Sequence, residues 1–328
     1  MNPLLLAASA LAAAFAARRA AAARRARELL RRLPPGEDGV TAGAHTIDLR
    51  GHDDRAALIL HGFGDTPQSL AYLADHLHAH GWTVRAPLLP GHGRSLRDFA
   101  ASGADAWLGA AREELAALRA RHGRVALVGL SMGGALATTL AAEADADGHT
   151  LPALALIAPY LSMPDRVRRM ARLHPAWGLV TPYVPSRSER SIHDPAEQSR
   201  TLAYGICTPR LLHELLRVVR LARASAPEVR APTLVVQSRL DNRIPPEACE
   251  RAFALFRSRK ELVWLERCGH VITVDYERAR VFDEVTRWLD AHVPSSDASG
   301  ASRGTADEPD DDGARAARAH RAARPTPA

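Results

Sequence analysis

Ser131 stands in V-A-L-V-G-L-S-M-G-G, between Gly129 and Gly133, so the stretch carries G-x-S-x-G. A serine hydroxyl is a weak nucleophile until a neighbouring base takes its proton. Two later residues can complete such an arrangement. Asp241 follows the apolar run T-L-V-V-Q-S in R-L-D-N-R-I-P, and His270 follows E-L-V-W-L in E-R-C-G-H. The order Ser, Asp, His, each just past an apolar run, is the one in which an imidazole and its orienting carboxylate come from successive strand ends. The chemistry would be acyl transfer, with His270 as general base and Asp241 holding the imidazole tautomer. Each residue also has a plainer reading, Asp241 as a turn former beside Asn242 and His270 as a solvent-facing loop histidine.

These side chains need strands to carry them and sharp turns to present them. Short apolar runs alternate with helical patterns from Thr41 to Val293, as expected of a mostly parallel sheet with helices on both faces, an α/β fold. Strands are predicted over 56–60, 82–89, 124–130, 153–158, 233–237 and 261–265. Helices are predicted over 68–80, 105–121, 132–144, 246–256 and 276–292. Ser131 then sits on a strand-to-helix turn, where side chains two residues either side would collide. The helix that follows aims free N–H groups at a developing oxyanion. After Pro159 the rhythm breaks. Prolines at 164, 175, 182, 185 and 195 punctuate short helical pieces, so residues 161–230 read as an insertion capping the Ser131 end of the sheet. Its apolar residues Trp177, Leu179, Val180, Tyr183 and Val184 are candidate substrate-binding walls, or alternatively pack the cap onto the core.

The stretches L-I-L-H-G-F-G-D, G-L-S-M-G-G, V-V-Q-S-R-L-D-N-R-I-P and G-H-V-I-T-V-D-Y-E-R resemble bacterial monoacylglycerol lipases and carboxylesterases of the α/β-hydrolase superfamily. The likeness covers roughly residues 55–293. It implies Ser131 as nucleophile, His270 as base and Asp241 as its carboxylate, with oxyanion-hole N–H groups from Phe63 and Met132. It implies a small acyl ester as substrate, a monoacylglycerol or a short to medium acyl ester, and no cofactor or metal. Cys268 departs from the family, which more often has serine there, and neither terminal extension belongs to the fold. His61, just before the oxyanion loop, is read as a brace for that loop. Peptidase, thioesterase and acyltransferase activity use the same groups and stay open as alternatives, as does a non-catalytic membrane-surface binding role. Dehalogenase and epoxide hydrolase chemistry is excluded, since it needs an aspartate where Ser131 stands.

The chain has 328 residues, of which 46% are hydrophobic and 24% charged, enough for a globular domain. Three cysteines at unrelated spacings make neither a disulfide framework nor a zinc pair. The net charge of +6 matches that of residues 18–32, which hold seven arginines against Glu28, so the remainder is near neutral. A nucleic-acid partner is not expected, because no aromatic stacking groups are interleaved with those arginines. His76 and His80 share a helical face at a metal-capable spacing but lack a third ligand, and no metal is assigned. The chain divides into an apolar then arginine-rich extension (1–40), the hydrolase domain (41–294) and a disordered tail (295–328) poor in core-forming residues. The uncharged run 3–17 lacks the leading positive charges of a secretory signal, so a cytoplasmic location is expected. Residues 1–32 are either a membrane-surface contact or a solvated helix. The sequence assigns no oligomeric state.

Overall fold

The structure, a computed structural model, describes residues 3–295 apart from 53, 180 and 186–190. Seven strands form the main sheet: β1 (Ile47–Leu49), β2 (Arg55–Leu60), β3 (Thr83–Ala86), β4 (Arg124–Leu130), β5 (Leu154–Ile157), β8 (Thr233–Ser238) and β9 (Lys260–Leu265). Their spatial order is β1-β3-β2-β4-β5-β8-β9. All neighbours are parallel except β1, which pairs antiparallel with β3. The chain runs from β2 outward to β3, then returns to the other side of β2 to lay down β4. The carboxyl ends of β2 and β4 therefore flank the point where the winding reverses, and a crevice opens there in sheets of this kind.

Both faces of the sheet are covered, which is why its strands read as continuous apolar runs instead of alternating ones. Ala56, Leu58 and Leu60 of β2 point into one core, shared with Trp107, Ala111 and Leu115 of α4 (Ala104–Arg119) and with α5 (Met132–Ala146). Ala57 and Ile59 point into the other, shared with Leu73 and Leu77 of α2 (Ala71–Ala79) and with Val281, Val285 and Leu289 of α11 (Arg278–His292). The first turn of the predicted 68–80 helix is 3-10, opened by Thr66, whose hydroxyl accepts from the Gln68 N–H. Outside residues 161–230, two elements had no expectation. β1 is three residues long with Asp48 in its middle, too short for a pattern. α3 (Leu96–Ala101) is a six-residue helix capped by Ser95.

Between β5 and β8 lie α6 (Asp165–Arg172), α7 (His174–Gly178), a two-stranded ribbon of β6 (Val184–Pro185) and β7 (Ile206–Cys207), α8 (Pro195–Arg200) and α9 (Pro209–Ser225). The last differs from the short pieces expected. Pro209 occupies the first helical position, where its missing N–H is no loss, and the Thr208 hydroxyl accepts from the Leu211 N–H, so this proline starts a 17-residue helix. Its buried face, Leu211, Leu215, Val218 and Ala222, repeats at helical spacing and packs on α5.

At the N-terminus α1 (Pro3–Arg32) is a single helix. No helix among the described residues is long and apolar enough to cross a membrane. Leu29 and Leu33 are buried in the core shared with α5, and the Arg32 guanidinium donates to the Ala203 carbonyl at 2.8 Å. The end of the 1–32 segment is thus held against the domain. The predicted tail beyond Ser295 lies outside the described residues.

Candidate active site

β4 ends at Leu130 and α5 begins at Met132, leaving Ser131 alone to make the turn. Its backbone sits at φ 55, ψ −113, a region that L-residues rarely occupy and that costs on the order of 1–3 kcal/mol. Close packing around it holds the turn. A Cβ on Gly129 would overlap the Gly133 backbone, and one on Gly133 would overlap the Leu60 and His61 carbonyls. Gly133→Ala is accordingly expected to destabilise the protein by about 3 kcal/mol or more, since backbone on both sides cannot give way. Gly109, in the interior of α4, has nothing within 4 Å of a Cβ. Gly109→Ala should stabilise by about 0.5–1 kcal/mol through helix propensity. Urea midpoints of the two variants check both signs.

Asp241 and His270 follow β8 and β9, and the sheet brings all three predicted side chains together. The Ser131 hydroxyl lies 2.8 Å from His270 Nε2, and His270 Nδ1 lies 2.8 Å from Asp241 Oδ2. Asp241 also accepts from Gln237 Nε2 (2.8 Å) on Oδ2, and from the Arg243 (2.7 Å) and Ile244 (3.0 Å) N–H groups on Oδ1. Burial on its own raises this carboxyl's pKa, but the His270 charge and these hydrogen bonds outweigh it and hold Asp241 below the usual carboxylate range. An ionised carboxylate can only accept. The proton on His270 therefore sits on Nδ1, leaving the Nε2 lone pair for the serine hydroxyl.

His270 is fixed by contacts the sequence did not announce. The Ser191 carbonyl accepts from both the His270 and Val271 N–H groups, at 2.8 Å each. Asp275 collects four backbone donors: the N–H groups of His193 and Gly269 on Oδ2, and those of Asp194 and Tyr276 on Oδ1. This carboxylate ties the histidine loop to the chain leading into α8. Its place five residues after His270 was a usable signal, whereas a main-chain acceptor such as Ser191 leaves no trace in side-chain types.

The loop after β2 closes the other side. A Cβ on Gly62 would stand 3.4 Å from that of Ser131, so the two turns nearly touch. His61 does brace this loop. Its Nε2 accepts from the Leu89 N–H at 3.1 Å, which places the ring proton on Nδ1, and Nδ1 donates to the Gly62 carbonyl at 2.9 Å. Full burial pushes the His61 pKa down to about 4, keeping the ring neutral. Neither the Phe63 N–H nor the Met132 N–H has a protein acceptor among the described residues. Met132 opens α5, so its N–H is one of the free donors of a helix N-terminus.

A cavity of about 320 Å³ opens over Ser131 and His270. Tyr160, Val167 and Met170 of the segment after β5, and Leu212 and Leu215 of α9, make its apolar wall. Of the expected wall residues that the structure describes, Val184 lines it and the others do not. Trp177 turns its indole N–H to the Met170 carbonyl (2.7 Å) and packs against the core, Tyr183 packs there too, and Leu179 is exposed to 71%. Val180 lies outside the described residues. The wall comes instead from apolar pairs spaced i,i+3 on arginine-rich helices. Cys207 also lines the cavity, its thiol pushed up to about 12 by burial, and all three cysteines are free and buried.

Asp65 is a cavity residue that had passed unnoticed within L-I-L-H-G-F-G-D. Burial raises its pKa to about 6, against the opposing pull of Ser69, Thr66 and the His270 charge. With a folded-state value above the ordinary 3.8, its contribution to stability is complete below that value and is lost as pH rises towards 6. Asp65→Asn should therefore gain stability over wild type between pH 4 and about 7, levelling off at about 1–3 kcal/mol, as read from urea midpoints against pH. His76 and His80 lie with ring centroids 4.5 Å apart and planes tilted by 31°, and His76 Nε2 is 3.9 Å from Asp283. Among the described residues no group of three His, Cys, Asp or Glu could hold a metal.

Comparison with known proteins gives the chain its relatives. The chain is 28% identical over 237 residues to a thermostable monoacylglycerol lipase of Bacillus sp. (strain H-257), covering 72% of this chain and 90% of that one. It is 26% identical over 240 residues to a carboxylesterase of Bacillus subtilis (strain 168), covering 72% and 93%. A structure solved for two metagenome-derived lipolytic enzymes, LipS and LipT, superposes with a TM-score of 0.70 at 28% identity, over 77% of this chain and all of that one. A monoglyceride lipase of Saccharomyces cerevisiae shares the fold at a TM-score of 0.64 and 16% identity, over 75% and 91%. The model of the family described as serine aminopeptidase, S33 (Hydrolase_4) matches residues 51–277, well over half of the chain. The chain belongs to that family of α/β-hydrolases and is a hydrolase similar to lipases and esterases.

Proposed function

We propose that the protein is a serine esterase acting on carboxylic esters, monoacylglycerols or other esters of short to medium acyl chains, through Ser131, His270 and Asp241. The observation that carries this reading is the hydrogen-bonded series from Asp241 through His270 to Ser131, ending at the floor of an apolar cavity. His270 Nε2 takes the Ser131 proton as Oγ attacks the ester carbonyl, and Asp241 stabilises the imidazolium that forms. The carbonyl oxygen, now an oxyanion, faces the N–H groups of Phe63 and Met132. Collapse breaks the bond to the alcohol, which leaves with the proton from His270. Water, deprotonated in turn by His270, then attacks the acyl-serine, and its collapse restores the Ser131 hydroxyl.

In this reading residues 161–230 are the cap, and residues 1–40 and 295–328 are extensions of a domain spanning 41–294. The lipolytic and esterase names of the relatives support an ester over a peptide substrate, and so does the apolar wall. A cavity of about 320 Å³ lies at the small end of ligand sites, which favours short and medium chains. Hydrolysis of p-nitrophenyl esters from acetate to palmitate, together with 1- and 2-monoacylglycerols, tests the proposal. The expected result is turnover with an optimum at short or medium chain length. No turnover of any ester would refute it.

A further inference from the structure

A second cavity, of about 580 Å³, shares Pro164 and Arg243 with the wall of the first. Three helices and one loop turn arginines into it: Arg168 and Arg172 from α6, Arg220 and Arg223 from α9, Arg251 from α10 (Pro246–Phe253), and Arg243 from the loop after β8. Asp165 is its one lining carboxylate among the described residues. The cleft thus carries a net charge of about +5, although the chain outside residues 18–32 is near neutral. What sets the cleft apart is convergence, six guanidinium groups from separate stretches of chain against one carboxylate. Elsewhere in the domain several arginines are matched with acids, as in Arg85–Glu114, Arg112–Glu143, Arg217–Glu214 and Arg287–Glu261, and others such as Arg119 and Arg210 donate to backbone carbonyls. Inside the cleft Arg168 meets Asp165 and Arg223 donates to the Leu161 carbonyl. Arg172, Arg220 and Arg251 have no carboxylate partner among the described residues.

Like charges three or four positions apart on a helix repel, as Arg168 and Arg172 do on α6 and Arg220 and Arg223 on α9. An anion entering the cleft relieves that repulsion on two helices at once. Guanidinium groups present paired N–H donors that fit two oxygens of one anion, and phosphate offers such oxygens in several directions with up to two charges. A single carboxylate would leave most of the positive charge unmatched. No aromatic side chain among the described residues lines the cleft, so none of them would stack a nucleobase there. Arg243 lies two residues after Asp241 and belongs to both cavities, which makes the cleft continuous in position with the esterase centre.

We propose that the cleft binds a phosphate group, namely that of an acyl ester whose alcohol part is phosphorylated, while the ester carbonyl lies at Ser131. The phosphate site stands on the cleft alone, and the substrate half rests on the esterase reading. The test uses the full chain and the variant Arg172→Gln/Arg220→Gln, whose two positions are exposed and lie outside the proposed catalytic groups. Binding of inorganic phosphate and of glycerol 3-phosphate is measured by calorimetry at low salt. Turnover is compared between 1-octanoylglycerol and 1-octanoylglycerol 3-phosphate.

The site predicts that glycerol 3-phosphate binds the wild type and binds the variant about tenfold more weakly, or worse. It further predicts that kcat/KM favours the phosphorylated ester in the wild type, that this preference falls about tenfold in the variant and weakens with salt, and that the neutral ester is unaffected. No phosphate binding to the wild type, or binding that the variant retains in full, overturns the site. Phosphate binding without preference for the phosphorylated ester assigns the cleft to a free anion and overturns the substrate half. Phosphate binding with no turnover of either ester supports the site and refutes the esterase reading.

Discussion

Ser131→Ala is expected to lower ester turnover by about three to six orders of magnitude while the protein stays folded, because on the proposed mechanism the acyl-enzyme can no longer form. Ser131→Gly should be equally inactive yet differ in stability. Ser131 and an alanine in its place both pay for φ 55, whereas glycine takes that conformation without strain. Part of the 1–3 kcal/mol scale of such strain is returned, less the greater entropy that glycine gives the unfolded chain. The expectation is that Ser131→Gly unfolds at a urea concentration no lower than Ser131→Ala. Parallel kcat and urea measurements on the two variants check the divergence. Activity near wild type in either would mean that Ser131 is not the nucleophile.

Asp241→Asn is expected to lower kcat by about four orders of magnitude at neutral pH. The carboxylate accepts the Nδ1 proton of His270, and an amide in its place can donate there, turning the lone pair of the ring away from Ser131. The same change alters acid stability, with a sign set by the lowered pKa of Asp241. A depressed carboxyl contributes stability above its unfolded value, near 3.9, and loses it as pH falls through the lower folded value. Wild type should therefore lose stability more steeply than Asp241→Asn as pH falls below about 4, as read by urea unfolding at successively lower pH. An equal slope in both proteins would deny the carboxylate its ionised role.

Much of this site was written into the chain. Ser131, Asp241 and His270 were legible because each follows an apolar strand and because G-x-S-x-G demands a turn that only small flanking residues permit. β4 ended where its pattern said, at Leu130. The segment over the sheet was less legible. Prolines mark both breaks and helix starts; those from 164 to 195 suggested short pieces throughout, whereas Pro209 opens a 17-residue helix, so α9 went unread and with it Leu212 and Leu215 of the cavity wall. Trp177 and Leu179 drew attention by being large and apolar, but where a helix turns such residues is settled by tertiary packing. Asp65 was hidden for another reason, since burial and not residue type sets its pKa. The arginine cleft needed three dimensions altogether, as its charges come from four separate stretches of chain.

The central claim is that Ser131 is a nucleophile activated by His270, and covalent labelling tests it most directly. A fluorophosphonate ester incubated with the wild type should phosphonylate one residue, with loss of fluoride, and peptide mass spectrometry should place the adduct on Ser131. The reaction should fail in His270→Ala, where no base takes the hydroxyl proton. Label found on another residue, or on Ser131 at the same rate without His270, would contradict the account.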